Sequence, residues 1–158
     1  MCDTALMASW AEFAAAEPEL AQYGWELLRA EQGYAYLATV ATGGAPRVHP
    51  VVPFVARGQL VVVVVATSPK VADLRAFPTY MLHATVGDND TEFAVRGCAH
   101  ELAAHLHDAA IEDQELNSVE MHAGDVLFAL DIERADAAIW DDGPARRQTW
   151  RAPASSTR

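Results

Sequence analysis

The sequence predicts a mainly β protein, a six-stranded, closed or partly closed antiparallel β-barrel with flanking helices. Three observations carry that expectation. Short runs rich in valine and other apolar residues recur from Tyr34 onward, separated by Gly, Pro, Asp and Asn. One short helical pattern interrupts them, between the third and fourth runs. Strands and helices do not alternate regularly, which argues against a doubly wound parallel sheet. With 158 residues, the chain is long enough for one domain with its own core.

The elements follow in order. Ser9-Trp10-Ala11-Glu12 has the S-x-x-E form of a capping box and starts a helix. Pro18 suits the first turn of a second helix, with Leu20, Leu27 and Leu28 on one face and Gly33 past its end. Residues 1–33 therefore read as an N-terminal helical arm, with Trp10, Phe13, Tyr23 and Trp25 as packing residues. The barrel occupies residues 34–152, and 153–158 form a flexible tail. Residues 34–40 make a first strand, 42–46 a turn, and 47–55 the second strand of a hairpin. Pro50 and Pro53 remove ladder donors, so that strand belongs at an edge or carries a bulge. Residues 60–66 form a third strand, and a helix from Pro69 ends before Pro78. The fourth strand spans 80–86 and the fifth 92–102, with Gly97 as a bulge. A short helix is expected over 108–116 and the last major strand over 126–139. Trp150 falls in a basic tail.

A net charge of −11 argues against nucleic acid, which needs a basic face. The acid concentrated in 108–125 reads as a solvated helix face. No apolar run approaches the roughly 20 residues of a membrane helix, and the N-terminus lacks a signal-peptide pattern. Cys2 and Cys98 make neither a disulfide framework nor a zinc site. Cys2 is expected on a mobile end and Cys98 as a small buried hydrophobe, and these features together indicate a cytoplasmic protein.

The stretch LVVVVVATSPKVADLR, residues 60–75, reads as strand, polar break and helix start. It is either an ordinary strand followed by a Ser/Pro-capped helix or one half of a phosphate site. Arg47 starts the preceding strand, and hairpin geometry brings it to the rim that holds Thr67, Ser68 and Lys70. A guanidinium and an ammonium together suit a phosphate. His49 is either a structural histidine or one that faces a cofactor near that rim. The scatter of His100, His105, His107 and His122 matches no metal-ligand spacing. Ser68 has no G-x-S-x-G context, and no carboxylate pair stands out. No catalytic residue of the chain itself is identified, so in an enzyme a bound cofactor must carry the chemistry.

In order along the chain, ATGGAPRVHPVVPF, GQLVVVVVATSPKVADLR, FPTYMLH and EFAVRGCAHEL resemble the pyridoxamine 5'-phosphate oxidase-like, FMN-binding split β-barrel superfamily, which includes flavin and deazaflavin (F420) oxidoreductases. The resemblance covers about residues 10–139. It implies a homodimer of split barrels with FMN or F420 bound between the subunits. Arg47, Val48 and His49 would line the cofactor and its phosphate, Ser68 and Lys70 would form the phosphate loop, and Val65, Ala66 and Thr67 would run along the ring. Glu92 stands where the true oxidases carry a glutamine, and their C-terminal Arg-His substrate motif is absent. The acidic tail of F420 would need a basic path through Arg57, Arg75 or Arg146/Arg147. The resemblance implies an oxidoreductase that passes hydride to or from a small conjugated substrate. The alternatives are a non-catalytic carrier of flavin, F420 or a haem-type tetrapyrrole, with His49 as the first ligand to test, and a cofactor-free dimer. Neither nucleic acid nor membrane is an expected partner.

Overall fold

The computed structural model describes residues 2, 6–103, 106, 122–140 and 142–154. Helices α1 (Trp10–Ala16) and α2 (Pro18–Arg29) precede the sheet. Strands β1 (Ala35–Val40), β2 (Pro46–Val51), β3 (Pro53–Ala56) and β4 (Gln59–Val64) follow, then α3 (Pro69–Ala76). Strands β5 (Thr79–Ala84), β6 (Glu92–Glu101), β7 (Val126–Ile139) and β8 (Arg146–Arg151) complete the sheet. The capping box forms as its sequence dictates: Glu12 N donates to Ser9 Oγ, and Ser9 N donates to the Glu12 carboxylate at 2.7 Å. Ser68 caps α3, with Pro69 in its first turn.

All strand pairs are antiparallel, in the order β2-β1-β5-β6-β7-β4-β3, with β8 added beside β7. The two ends of that path, β2 and β3, are consecutive in sequence and joined through Val52 alone. The sheet must therefore curl until its ends meet, which produces a barrel open along one seam. The inward faces of its strands, with Leu37, Leu82, Val95, Phe128 and Leu130, form the core. The helical arm closes one side of it. Trp10 and Trp150 flank Phe13, at ring-centroid distances of 5.4 and 4.9 Å, and all three are buried.

Three expectations change. The sheet has eight strands, not six. One addition comes from the proline-rich second strand, which breaks at Val52 into β2 and β3, and both halves are edge strands. The other is β8, which lies in the stretch read as a basic tail. The outer half of the long strand β7 offers it a ladder, and Trp150 is driven into the core. Gly97 does mark a bulge, because the register shifts between Arg96 and Gly97 and a Cβ there would overlap the Asp131 carbonyl.

The third change concerns the cysteines. Cys2 and Cys98 form a disulfide across 96 residues, with Cα atoms 6.0 Å apart. Distance along the chain misled here. Backbone hydrogen bonds between Ala8 and Ile132 lay the N-terminal segment against β7, the neighbour of β6, and bring Cys2 within reach. The cysteines therefore no longer argue for a reducing compartment. Among the described residues no helix is long and apolar enough to cross a membrane. The helix expected over 108–116, His105 and His107 lie outside the described residues.

Candidate functional site at the barrel seam

The seam has a local cause. The β3–β4 ladder runs from Ala56↔Gln59 to Pro53↔Val62 and stops there. Upstream, β2 pairs with β1 instead, so Pro50–Val52 and Val63–Val65 separate. Between them opens a cavity of about 370 Å³, within the range of small-molecule sites. Its lining includes Tyr34, Pro50, Val52, Val63 and Val65, together with Ser68, Lys70, His122 and Asp125, and takes in neither Arg47 nor His49. The loop above β4 is a tight turn, in which Ser68 N donates to the Val65 carbonyl at 2.8 Å. Lys70 N then donates to Ser68 Oγ at 3.4 Å, and α3 begins.

Alternation along β2 divides the three residues expected to line a cofactor. Arg47 lies opposite Thr39 and His49 opposite Leu37, both on buried positions of β1. Val48 lies opposite Ala38 and turns to the outer face, where it is 63% exposed. Val65 lines the cavity, whereas Ala66 and Thr67 are exposed and outside its lining.

Arg47 Nε lies 3.2 Å from Asp73 Oδ2, and Thr39 Oγ1 donates to the same oxygen at 2.9 Å. The Asp73 side chain is 3% exposed, whereas that of Arg47 is 42% exposed. The guanidinium is thus held from below while part of it faces solvent. Burial lowers the pKa of Lys70, and among the described residues its ammonium has no carboxylate partner. The pKa of His49 is lowered first by burial and then by the positive charge of Lys70. Asp73 opposes that shift and Arg47 adds to it, so all four side chains share one electrostatic neighbourhood. His49 Nε2 is buried without a hydrogen-bond partner. An unpartnered ring nitrogen and an ammonium without a carboxylate partner, in one electrostatic neighbourhood with a half-open guanidinium, fit an anionic group, although of the three only Lys70 lines the seam cavity.

Other basic residues go elsewhere. Arg75 is held by Glu101 through two contacts of 2.8 Å and lines neither cavity. Arg57 sits in the β3–β4 turn with φ of 49°. Arg147 lines a second cavity of about 290 Å³, on the outer face of β5 to β8, with His83, Glu92, Arg134, Asp136 and Thr149. Glu92 therefore faces this polar recess and not the seam. Asp73 lies three residues after Lys70 in the sequence, and nothing there marks it for burial. Its burial depends on how α3 docks on β1, and Thr39 carried no signal at all.

No protein-family model matches the chain, and no curated protein matches it. Solved structures do. A pyridoxamine 5'-phosphate oxidase-related, FMN-binding protein from Nostoc punctiforme superposes with a TM-score of 0.65 at 17% identity, over 89% of this chain and 91% of that one. A haem-binding protein from Mycobacterium smegmatis gives 0.60 at 18% identity over 75% of this chain, which spans only 52% of that one. PhzG from Burkholderia lata, solved with tetrahydrophenazine-1-carboxylic acid, gives 0.56 at 12% identity, covering 90% and 93%. These likenesses show the fold. It is a split barrel, a fold on which an FMN-binding and a haem-binding protein are both built.

Proposed function

We propose that this split barrel binds the phosphate of FMN or F420 at the rim formed by Arg47, His49, Ser68 and Lys70, with the ring system in the valine-walled seam. The proposed activity is hydride exchange with a small conjugated substrate. The observation that supports the reading is an unpartnered His49 that feels the charges of both Lys70 and Arg47, with Lys70 and Ser68 also lining the cavity. Ser68 and the first turn of α3 add donors that suit a phosphate. A flavin bound there supplies hydride or single-electron chemistry, and F420 hydride chemistry alone. The chain's own contribution is to anchor the phosphate, orient the ring and exclude water.

The proposed working form is a homodimer. Its interface is the outer face of β2, β1 and β5, where Val48, Ala38 and Met81 stand side by side and Tyr36 follows in the next row. Val48, Tyr36 and Met81 are exposed apolar side chains on that face.

The test is titration of the purified protein with FMN and with F420, followed by turnover assays with reduced cofactor and a panel of quinones. Lys70→Ala and Arg47→Ala should each weaken cofactor binding more than tenfold, since a charged hydrogen bond contributes about 1.5–3 kcal/mol. Unchanged affinity in both variants removes the site. Tight binding without turnover turns the enzyme reading into a carrier.

One observation favours a second reading. His49, whose pKa is lowered and whose buried Nε2 has no hydrogen-bond partner, is the histidine to test as a haem ligand. A Soret band on haem addition that disappears in His49→Ala would select it.

A further inference from the structure

Building on the phosphate reading, we infer that Asp73 sets the charge this rim accepts, so that the site selects a phosphodiester, with one negative charge, over a terminal phosphomonoester, with two. The cluster brings together Arg47, Lys70, Asp73 and His49. Asp73 is fully buried against the underside of Arg47, 3.2 Å from its Nε, and a Thr39 hydroxyl at 2.9 Å fixes the same carboxylate oxygen. One of the two cations is thereby neutralised within the fold. Burial and then Lys70 disfavour the charged form of His49, with Asp73 opposing that shift. Among the described residues, Arg47 is paired with Asp73 and Lys70 has no carboxylate partner, which leaves one positive charge at this rim. Asp125 also lines the seam cavity, where His122 N donates to its carboxylate at 2.8 Å.

A monoanion closes that count. A dianion leaves one negative charge uncompensated in a partly desolvated place, next to the buried carboxylate beneath Arg47. F420 carries its phosphate as a diester, and FMN carries a monoester. The contribution of Asp73 is therefore to discriminate between cofactor classes, while Arg47 and Lys70 provide contact.

The probes are FMN and its 5'-phosphate methyl ester, which share every atom of the ring and differ by one charge. Wild-type protein should bind the ester at least as tightly as FMN. Asp73→Asn keeps a hydrogen-bond acceptor for Thr39 and removes the charge. It should shift the affinity ratio toward FMN by about tenfold, the effect of one charge at roughly 7 Å in an intermediate dielectric. Thr39→Val keeps the charge and should leave the ratio alone. A wild-type preference for FMN overturns the inference, and so does a ratio unmoved in Asp73→Asn. If that variant fails to fold, the wild-type ratio decides. Lys70→Ala separates the two levels. If it leaves both affinities unchanged, or if neither probe binds wild-type protein, the phosphate reading falls and takes this inference with it. If it weakens both probes while Asp73→Asn leaves the ratio alone, only the charge selection falls.

Discussion

Gly24 packs against the face of Phe93, so closely that a methyl group at position 24 would overlap the ring. This contact lets α2 lie down on β6 and places the helical arm over the barrel. Phe93 has nowhere to retreat, because it is fully buried with Trp10 and Phe13 around it. Gly24→Ala should gain up to about 1 kcal/mol in helix propensity. It should lose about 1–3 kcal/mol to overpacking. The expected net effect is a lower urea midpoint with an unchanged m-value. A more stable variant would show that α2 can shift freely on β6.

Arg47 and Asp73 form one unit, so their substitutions should not add. Arg47→Ala leaves the buried Asp73 with Thr39 alone and should cost about 1–3 kcal/mol. The double variant Arg47→Ala/Asp73→Asn removes the stranded charge and should recover part of that loss. A thermodynamic cycle from chemical denaturation measures the coupling. Strict additivity would mean the pair contributes nothing to the fold.

His100 gives stability a pH signature. Its Nδ1 lies 3.2 Å from Asp131 Oδ2. Hydrogen bonding to that carboxylate raises the histidine pKa above 6.5, burial opposes the shift, and the charge of Asp131 adds to it. A raised folded-state pKa stabilises fully below the unfolded value and ceases to do so as pH climbs through the folded value. The stability gap between wild type and His100→Gln should therefore be widest near pH 5.5 and close toward pH 8.5. A gap that widens with pH would contradict the pairing.

The Cys2–Cys98 bond closes a loop of 96 residues, and a loop of that length gives a cross-link much unfolded-state entropy to remove. Reduction should lower stability by about 2–4 kcal/mol. Thiol labelling of the unreduced, denatured protein should find no free cysteine. Two labelled thiols would dismiss the bridge.

The outer row of Val48, Ala38 and Met81 predicts self-association. Met81→Glu should place a charge in the proposed interface and shift sedimentation from dimer to monomer, without loss of the folded circular dichroism signal. A wild-type protein that sediments as a monomer at micromolar concentration would end the dimer reading.

Much of the barrel was legible in the chain. The run from Val126 to Ile139 forms a strand over that whole span, the S-x-x-E signal forms its box, and Gly97 forms its bulge. The prolines of the second strand announced an edge. These features are local, because period, cap and missing donor act within a few residues. The pairing of β8 with β7 was not legible. A short strand with arginines at both ends carries little pattern of its own, and its partner supplies the ladder.

Sequence alone determined the proline-marked edge and the Ser68–Pro69 start of α3, whereas the hairpin expected to carry Arg47 beside Ser68–Lys70 stops at Pro53↔Val62. Only the tertiary structure decided that the hairpin would splay at Pro53 into a cavity, that Val48 would turn away from it, and that Asp73 would be buried under Arg47. The physical reason is closure of the sheet. Joining β2 to β3 through one residue forces the barrel to curl, and that curl opens the seam and presses α3 against β1.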